Sequence, residues 1–196
     1  PYFPVFSDSL LHALKSIEGK YSLISSFDCP KWNGFRTFNP SLLAFNNLKI
    51  LEPYHGLWIK VTENCTLSYP AIGVLPSSHL KSSYTNEVDK ITFTPLWINL
   101  YGFANGLQIG DTIRVYNSNN ILCGFSIVNK SGQYGFVPVY AYEDSSQSNI
   151  AARPGDKLYV KVNDQLVISD NDSIKWTTMG DLIRYDFSIP NIALSI

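Results

Sequence analysis

Charged residues, and the residue types that most often perform catalysis, are scarce in this sequence. Lysine, arginine, aspartate and glutamate together make up 16% of the 196 residues, and there are three histidines and three cysteines. The histidines, His12, His55 and His79, show no HxxxH or HxH spacing, so zinc binding and histidine-dependent catalysis have little support. There is no GxSxG elbow and no glycine-rich phosphate loop. The sequence therefore predicts a protein that is not an enzyme.

Runs of one charge and long apolar runs are also missing. The net charge is -1, and lysine and arginine are scattered along the chain. Without a row of cations to neutralise phosphates, nucleic acid is not expected as a partner. No apolar stretch approaches the roughly 20 residues that a helix needs to cross a bilayer, so no membrane span is expected. The N-terminal PYFPVFSDS lacks an initiator methionine and the layout of a signal peptide, which predicts a mature, processed or truncated product.

Cysteine is rare, and its spacing excludes the common metal motifs. The three cysteines form no CxxC pair and allow at most one disulfide. We interpret them as small, buried apolar side chains. Three tripeptides fit the N-glycosylation sequon, beginning at Asn64, Asn129 and Asn171, and they permit an extracellular setting.

Short runs of β-branched and aromatic residues are abundant instead. Between Tyr101 and Tyr140, three such runs occupy Thr112–Tyr116, Ile121–Val128 and Tyr134–Tyr140. Glycine, asparagine, aspartate and serine separate them, which is typical of consecutive antiparallel strands joined by short hairpins. This stretch predicts the centre of an all-β module.

Similar runs continue on both sides of this stretch. They are found at Ile91–Phe93, Leu96–Gly102, Lys157–Val162, Gln165–Ile168, Ile174–Thr177 and Leu182–Ile189. Eight or nine short strands at regular spacing fit an immunoglobulin-like antiparallel β-sandwich over residues 89–196, with a C-terminal strand or tail.

The first part of the chain has a different pattern. The stretch SDSLLHALKSI predicts a short helix that Ser7 or Asp8 caps and Gly19 ends. Its apolar face is expected to contain Leu10, Leu11, Leu14 and Ile17. Strands are predicted at Tyr21–Phe27 and Leu57–Val61. Residues 1–76 are therefore predicted to form a small α+β domain, and the polar residues 77–88 a linker, within a mainly β protein.

One short motif occurs twice. Gly110-Asp111 precedes one strand, and Gly155-Asp156 precedes another. Glycine permits a positive φ at a turn, and aspartate can accept hydrogen bonds from the backbone amides that follow it. We interpret both pairs as structural turns rather than functional residues.

These turns belong to a longer series that is similar to a known kind of module. The series ends with Pro154–Asp164 and Trp176. Its earlier members are Gly106, Gly110, Ile113, Val115, Tyr116, Cys123, Gly124, Gly132, Tyr134 and Gly135. In this pattern the chain resembles β-sandwich repeat modules of large secreted surface proteins of bacteria and archaea, which form surface layers, fibres or adhesins. The first half, with SIEGKYSLISSFD and GLWIKVTENCTL, is similar to a second module of such proteins. The resemblance implies a scaffold without catalytic residues.

The resemblance also suggests how copies could assemble. Modules like the first half usually open with a Trp-Asn-Leu strand before the helix, and nothing similar precedes Asp8. A missing strand leaves an edge that another strand can join. The tail FSIPNIALSI, or the N-terminal PYFPVF, could pair with a neighbouring copy in head-to-tail fibres, or the tail could be the last strand of its own domain. The assembly candidates are Phe187, Ile189, Ile192, Leu194 and Ile196.

Two groups of acidic residues are candidates for a calcium site, because Ca²⁺ takes several oxygen ligands. The candidate ligands are Glu143, Asp144 and Asp156 in one group and Asp170 and Asp172 in the other. Neither group has EF-hand spacing, and solvated loop acids are the competing interpretation. No other cofactor is expected.

Aromatic residues that are expected to be exposed are candidates for a sugar-binding platform, since their rings can stack on sugars. The candidates are Trp32, Tyr54, Tyr140 and Tyr142, for which packing or subunit contact is the alternative. The remaining tryptophans lie in strand patterns and are expected in the core: Trp58, Trp97 and Trp176.

Together these patterns predict a non-enzymatic extracellular structural protein. It would be the subunit of a cell-surface fibre or layer that assembles with copies of itself by strand addition and surface contacts. The alternative is a carbohydrate-binding or adhesion module of a larger secreted protein, with glycans as partners.

Overall fold

Short strands make up most of the regular structure, which we describe from a computed structural model. The structure describes residues 8–28, 34–52, 55–70, 91–143, 150–169 and 174–190. The chain divides into two units, Pro1–Ser83 and Tyr84–Ile196. The predicted mainly β class is confirmed. The predicted linker, residues 77–88, lies outside the described residues, and the predicted domain boundaries remain predictions.

The first unit contains a helix that starts later than predicted. Helix α1 spans Leu10–Ala13, and a 3-10 turn follows at Lys15–Ile17. The N-cap is Ser9, whose Oγ accepts a hydrogen bond from the His12 amide at 3.3 Å. The cap therefore lies just after the two predicted candidates.

The buried face of this segment differs from the predicted one at a single position. Leu10, Leu14 and Ile17 are buried as expected, but Leu11 is 62% exposed and Ala13 is buried instead. Positions i, i+3, i+4 and i+7 share one face of a helix, whereas position i+1 is turned by about 100°. The prediction for Leu11 is therefore wrong.

Five strands complete the described part of the first unit. They are β1 at Asp8–Ser9, β2 at Tyr21–Asp28, β3 at Gly34–Phe38, β4 at Ile50–Leu51 and β5 at Leu57–Val61. Strands β1 and β4 pair with each other, and the other three form an antiparallel sheet in the order β3-β2-β5. The helix packs with this sheet around one core, which contains Leu10, Ala13, Leu14, Ile17, Tyr21, Ile24, Phe38, Leu48 and Leu51.

The described part of the second unit contains nine strands. They are β6 at Leu96–Asn105, β7 at Thr112–Asn117, β8 at Leu122–Ile127, β9 at Gln133–Ala141, β10 at Lys157–Val162, β11 at Gln165–Leu166, β12 at Ile174–Lys175, β13 at Leu182–Arg184 and β14 at Phe187–Ser188. The main order is β11-β10-β7-β8-β9-β6-β13, with β12 beside β10 and β14 beside β6. The three central strands are confirmed, whereas Ile91–Phe93 forms no strand.

The last two strands run in an unexpected direction. Both β13 and β14 are parallel to β6, although hairpin patterns predict antiparallel neighbours. Ile168 and Ser188 form an antiparallel bridge, in which Ser188 N donates to Ile168 O at 2.7 Å and Ile168 N donates to Ser188 O at 3.0 Å. Since Ile168 follows β11 and Ser188 lies in β14, this bridge joins the two ends of the sheet. The sheet is therefore curled around its core.

The interior of the curled sheet is apolar and well anchored. Trp176 is 2% exposed, and its Nε1 donates a hydrogen bond to Val139 O at 3.0 Å. Trp97 is also buried, so the core prediction holds for both residues. At Gly102, an added Cβ would lie 2.5 Å from Tyr185 O, which explains why glycine allows β6 to approach the segment before β14.

The glycine-aspartate turns have the predicted structural role, and a third copy exists. The aspartates Asp111, Asp156 and Asp181 each accept a hydrogen bond from the amide three residues earlier, at 2.7, 3.0 and 3.2 Å. The glycine before each one has a positive φ. One detail of the prediction is wrong: the amide that donates to each aspartate precedes the aspartate in the sequence and does not follow it. Each turn leads into a strand: β7, β10 or β13.

Within the described ranges, no helix is long and apolar enough to span a membrane.

Candidate functional site

One edge of the three-stranded sheet presents large apolar side chains. Among the described residues, β5 is the last strand on its side of the sheet. Trp58 and Val61 are 46% and 49% exposed. The rings of Trp58 and Phe35 meet edge to face, with centroids 5.1 Å apart, so the exposed indole is held in place. The prediction that Trp58 lies in the core is therefore wrong.

The opposite edge of the same sheet is covered. Asn47 Oδ1 accepts a hydrogen bond from Thr37 N at 2.6 Å, and the amides of Asn47 and Leu48 both donate to Thr37 O at 3.2 Å. Every residue of β3 is buried. These contacts satisfy backbone groups that an added strand would need, so β3 is closed to strand addition.

Strand β13 is an edge strand of the larger sheet, in the second unit. Strand β13 has β6 on one side, and in the described part of the chain no strand pairs with its other side. This strand is three residues long, and Leu182 and Ile183 are half-buried. A short edge strand offers little backbone to a partner. Strand β5 is therefore the better template.

The predicted assembly segment begins inside its own sheet. Phe187 is 5% exposed, and its ring centroid lies 5.3 Å from that of Tyr134. Ile189 packs against the core, and its amide donates to Asn105 O at 3.1 Å. Phe187 and Ile189 therefore pack within their own sheet, and the role of the tail in assembly remains a prediction. The other assembly candidates lie outside the described residues: Ile192, Leu194 and Ile196.

A cleft of about 550 Å³ lies where β6 meets β14. Its wall includes Phe103, which is 46% exposed and has the Arg184 guanidinium 5.5 Å from its ring centroid. Asp186 Oδ2 accepts a hydrogen bond from Arg184 Nε at 3.0 Å, and Asp186 Oδ1 accepts one from Phe103 N at 2.9 Å. The hydrogen bond from Arg184 lowers the pKa of the Asp186 carboxyl group. Gln108 adds an amide side chain to the same wall.

The predicted calcium ligands are not brought together where the structure describes them. Glu143 is exposed, and Asp156 serves its own turn by accepting hydrogen bonds from Arg153 N at 3.0 Å and Arg153 Nη2 at 3.5 Å. Among the described residues, no group of three or more histidine, cysteine, aspartate or glutamate side chains could hold a metal ion. The other three candidates lie outside the described residues: Asp144, Asp170 and Asp172.

The predicted sugar platform is also incomplete in the described chain. Tyr140 is 1% exposed and packs edge to face against Phe93, with centroids 5.2 Å apart. Its ring therefore lies in the core and presents no face to a sugar, which corrects the prediction for this residue. Tyr142 is half-buried. Trp32 and Tyr54 lie outside the described residues.

Sequence reasoning missed a buried carboxylate that orients a histidine. Asp8 Oδ2 lies 2.7 Å from His12 Nδ1, and Asp8 Oδ1 accepts a hydrogen bond from Ser9 N at 2.7 Å. The i, i+4 spacing at a helix start was the available signal. A carboxylate-histidine pair becomes catalytic beside a nucleophile. In the described part of the chain, no hydroxyl or thiol is hydrogen-bonded to the His12 ring. The contact between Asp8 and His12 links β1 to α1.

Burial disfavours ionisation of two further side chains, Cys123 and Tyr134. Burial raises the pKa of the Cys123 thiol to about 12, so the nucleophilic thiolate is scarce at neutral pH. Burial also raises the pKa of Tyr134 well above its usual range. The Tyr134 hydroxyl donates a hydrogen bond to Tyr185 O, which ties β9 to the segment before β14.

Comparison of the chain with protein families, with curated proteins and with solved structures finds no match.

Proposed function

We propose that this protein is a non-enzymatic extracellular structural protein, a subunit of a surface fibre or layer that assembles with copies of itself. The observation that carries the proposal is the β5 edge, where Trp58 and Val61 are about half exposed at the last described strand of its sheet. An edge strand with large exposed apolar side chains is a template for a strand of another chain.

The contrast within one sheet supports this choice of edge. Asn47 covers β3 through hydrogen bonds to Thr37, whereas β5 has a single charged residue, Lys60, as a barrier to pairing. Charged residues on edge strands are a common protection against association. Assembly by strand addition through β5 would use an edge with which no described strand pairs.

The finer architecture is part of the proposal. We propose that the first unit is a small α+β domain and the second an immunoglobulin-like β-sandwich, as in the surface-protein modules that the sequence resembles. Strands β6 to β9 are adjacent in the order β7-β8-β9-β6. This is a Greek-key arrangement, which most β-sandwiches contain. It supports the assignment, as does the curled sheet around one core.

The extracellular setting rests on the glycosylation sequons. Asn64 and Asn129 are both exposed, so both side chains are accessible to modification. An attached glycan is bulky and needs a surface position. Expression in a glycosylating host and mass spectrometry of the two asparagines would test their accessibility.

The alternative function, a carbohydrate-binding or adhesion module, is favoured by the cleft beside β14. Phe103 offers an exposed ring, and Asp186 and Gln108 offer polar groups in the same wall. An aromatic ring with a few convergent polar groups is a common arrangement in sugar sites. A glycan array probed with the purified protein and with a Phe103→Ala variant would test it.

The test of the main proposal is electron microscopy and sedimentation of the purified protein. Val61→Lys places a second charge beside Lys60 and should abolish filaments or sheets of subunits. Leu43→Lys is the matched control, because Leu43 is 69% exposed but lies in a 3-10 turn away from the edge. This control should assemble like the unmodified chain.

Two results would contradict the proposal. The first is a monodisperse monomer at high protein concentration, and the second is equal assembly of the Val61→Lys variant, the Leu43→Lys variant and a chain without residues 191–196. Deletion of residues 191–196 separates the two routes of strand addition. Loss of assembly on deletion, with normal assembly of Val61→Lys, would assign the contact to the C-terminal segment.

A further inference from the structure

One face of β10 combines lysine and tyrosine in a regular pattern. Its outward residues are Lys157, Tyr159 and Lys161, because the residues between them are buried in the core. Alternate residues of a strand point to opposite sides of a sheet. The three side chains therefore form a row on the outside of the second unit.

The neighbouring strands extend this row into pairs of like residues. Residues that lie opposite each other on adjacent strands point to the same side of the sheet. Along β10, the opposed pairs are Lys157–Lys175, Tyr159–Tyr116 and Lys161–Arg114. We call these three pairs the three-rung face. Successive rungs are roughly 7 Å apart, since each residue of a strand advances about 3.4 Å.

The tyrosines hold two of the ammonium groups in place. Lys161 Nζ lies 4.6 Å from the ring centroid of Tyr116, and Lys157 Nζ lies 5.5 Å from that of Tyr159. Both distances are within the range of a cation–π interaction. Long lysine side chains normally lose conformational entropy when they bind a ligand. Because the ring contacts already order these two lysines, the entropy lost on binding is smaller.

Among the described residues, the three lysines of this face have no acidic partner in an ion pair. Arg114 is mostly buried and is paired with Asp164 at 3.3 Å, but no described acidic side chain forms an ion pair with Lys157, Lys161 or Lys175. The whole chain has 15 basic and 16 acidic residues, so a surface of mixed sign would be the ordinary expectation. Like charges placed opposite each other also destabilise a sheet.

We infer that the three-rung face binds a linear acidic polysaccharide, a chain of sugars that carry carboxylates. The ammonium groups of Lys157 and Lys161 in the outer rungs bind carboxylates of the polysaccharide, and the tyrosine rings of the middle rung hold both ammonium groups in place. The Tyr159 hydroxyl, between these rungs, can hydrogen-bond to sugar hydroxyls. The face lies within one chain, so the inference is independent of assembly.

The ring contacts favour a polysaccharide over a nucleic acid. Single-stranded nucleic acids bind by stacking their bases on aromatic rings. In the three-rung face, one side of each tyrosine ring is occupied by an ammonium group of its own chain. A nucleic-acid base therefore has less ring surface on which to stack. A carboxylate binds the ammonium group itself and does not need the ring surface.

The test is isothermal titration of the purified chain with polygalacturonate, a polymer of one uronic acid. Uncharged dextran and a single-stranded oligo-dT serve as comparison ligands. The test variant replaces the three lysines: Lys157→Gln, Lys161→Gln and Lys175→Gln. The matched control removes the same charge from exposed lysines elsewhere: Lys15→Gln, Lys49→Gln and Lys130→Gln.

The expected result is binding of polygalacturonate and no binding of dextran. Affinity should fall about ten-fold between roughly 50 and 200 mM salt, because each neutralised charge releases a counterion. The test variant should bind about ten-fold more weakly than the control variant, by the same charge argument. Circular dichroism and thermal melting verify that both variants fold. If the triple variant does not fold, Lys175→Gln alone should weaken binding about three-fold.

Three outcomes would overturn the inference. They are no binding of polygalacturonate by the unmodified chain, equal binding by the test and control variants, and tighter binding of oligo-dT than of polygalacturonate with the same dependence on the three lysines. The last outcome would assign the face to nucleic acid.

Discussion

The three-stranded sheet of the first unit and the nine-stranded sheet of the second unit end in different ways. In the three-stranded sheet, Asn47 covers the β3 edge, while β5 has Trp58 and Val61 about half exposed. In the larger sheet, the Ile168–Ser188 bridge joins the segment after β11 to β14. A sheet whose ends meet offers fewer edges to other chains than an open one. Association through backbone pairing is therefore expected to concentrate on the first unit, and surface binding on the second.

The largest expected effect comes from the interior that supports the curled sheet. Trp176→Ala removes a fully buried indole together with its hydrogen bond to Val139 O. We expect the free energy of unfolding of the second unit to fall by about 3–5 kcal/mol, because a cavity of this size cannot collapse completely. Urea denaturation followed by fluorescence measures the loss. A change of less than about 1 kcal/mol would show that the curled sheet does not depend on this core.

A second substitution tests how the sheet turns back on itself. Gly102→Ala would place a Cβ 2.5 Å from Tyr185 O and 2.7 Å from Asp186 Oδ1. Since the first of these contacts involves backbone, β6 and the following segment must move apart. We expect a loss of about 1–3 kcal/mol, as for other overpacked sites. Gly56→Ala, where an added Cβ meets nothing within 4 Å, is the matched control. Equal melting temperatures of the two variants would argue against close contact at Gly102.

A third substitution opens the covered edge of the small sheet. Asn47→Ala removes the acceptor of the Thr37 amide and should cost about 1–2 kcal/mol, because the buried amide loses its partner. It should also increase association, since β3 then offers an uncovered backbone group. Thermal melting and light scattering measure the two effects. Asn64→Ala, at an exposed position, is the control, and equal behaviour of the two variants would contradict the role of Asn47.

Local patterns predicted what depends on local chemistry. Runs of β-branched and aromatic residues between turn residues were sufficient to predict β7, β8 and β9, and the Gly110-Asp111 turn followed from the conformational preferences of its two residues. The third turn, at Gly180-Asp181, has the same chemistry and could have been found by the same comparison. In such cases the relevant contacts lie within a few residues of each other along the chain.

Features that depend on distant partners could not be predicted in this way. Trp58 and Trp97 lie in similar apolar runs, so the sequence predicts a core position for both. In the structure, Trp58 lies on the last described strand of its sheet, whereas Trp97 lies on a strand between β9 and β13. Parallel pairing of β13 with β6 joins segments about 80 residues apart along the chain. Hairpin rules describe only strands that are neighbours in sequence, so they could not predict this pairing. The opposed residue pairs of the three-rung face could not be predicted either, because they depend on the register between strands.

The smallest expected effect concerns the charged link between β6 and β14, and it depends on pH. The hydrogen bond from Arg184 lowers the pKa of Asp186 in the folded state, so the unfolded state binds its proton at a higher pH. The resulting stability is fully present above about pH 4 and is lost as the pH falls through the lower, folded-state value. Because the pair is exposed to solvent, Asp186→Asn should lower stability at pH 7 by about 0.2–1 kcal/mol. At pH values below the folded-state pKa of Asp186, the difference between the variant and the unmodified chain should shrink, since the carboxyl group is then protonated in both states. Denaturation curves at pH 7 and at low pH measure the difference. A difference of the same size at both pH values would mean that the Asp186 contacts to Arg184 and Phe103 contribute through packing rather than through charge.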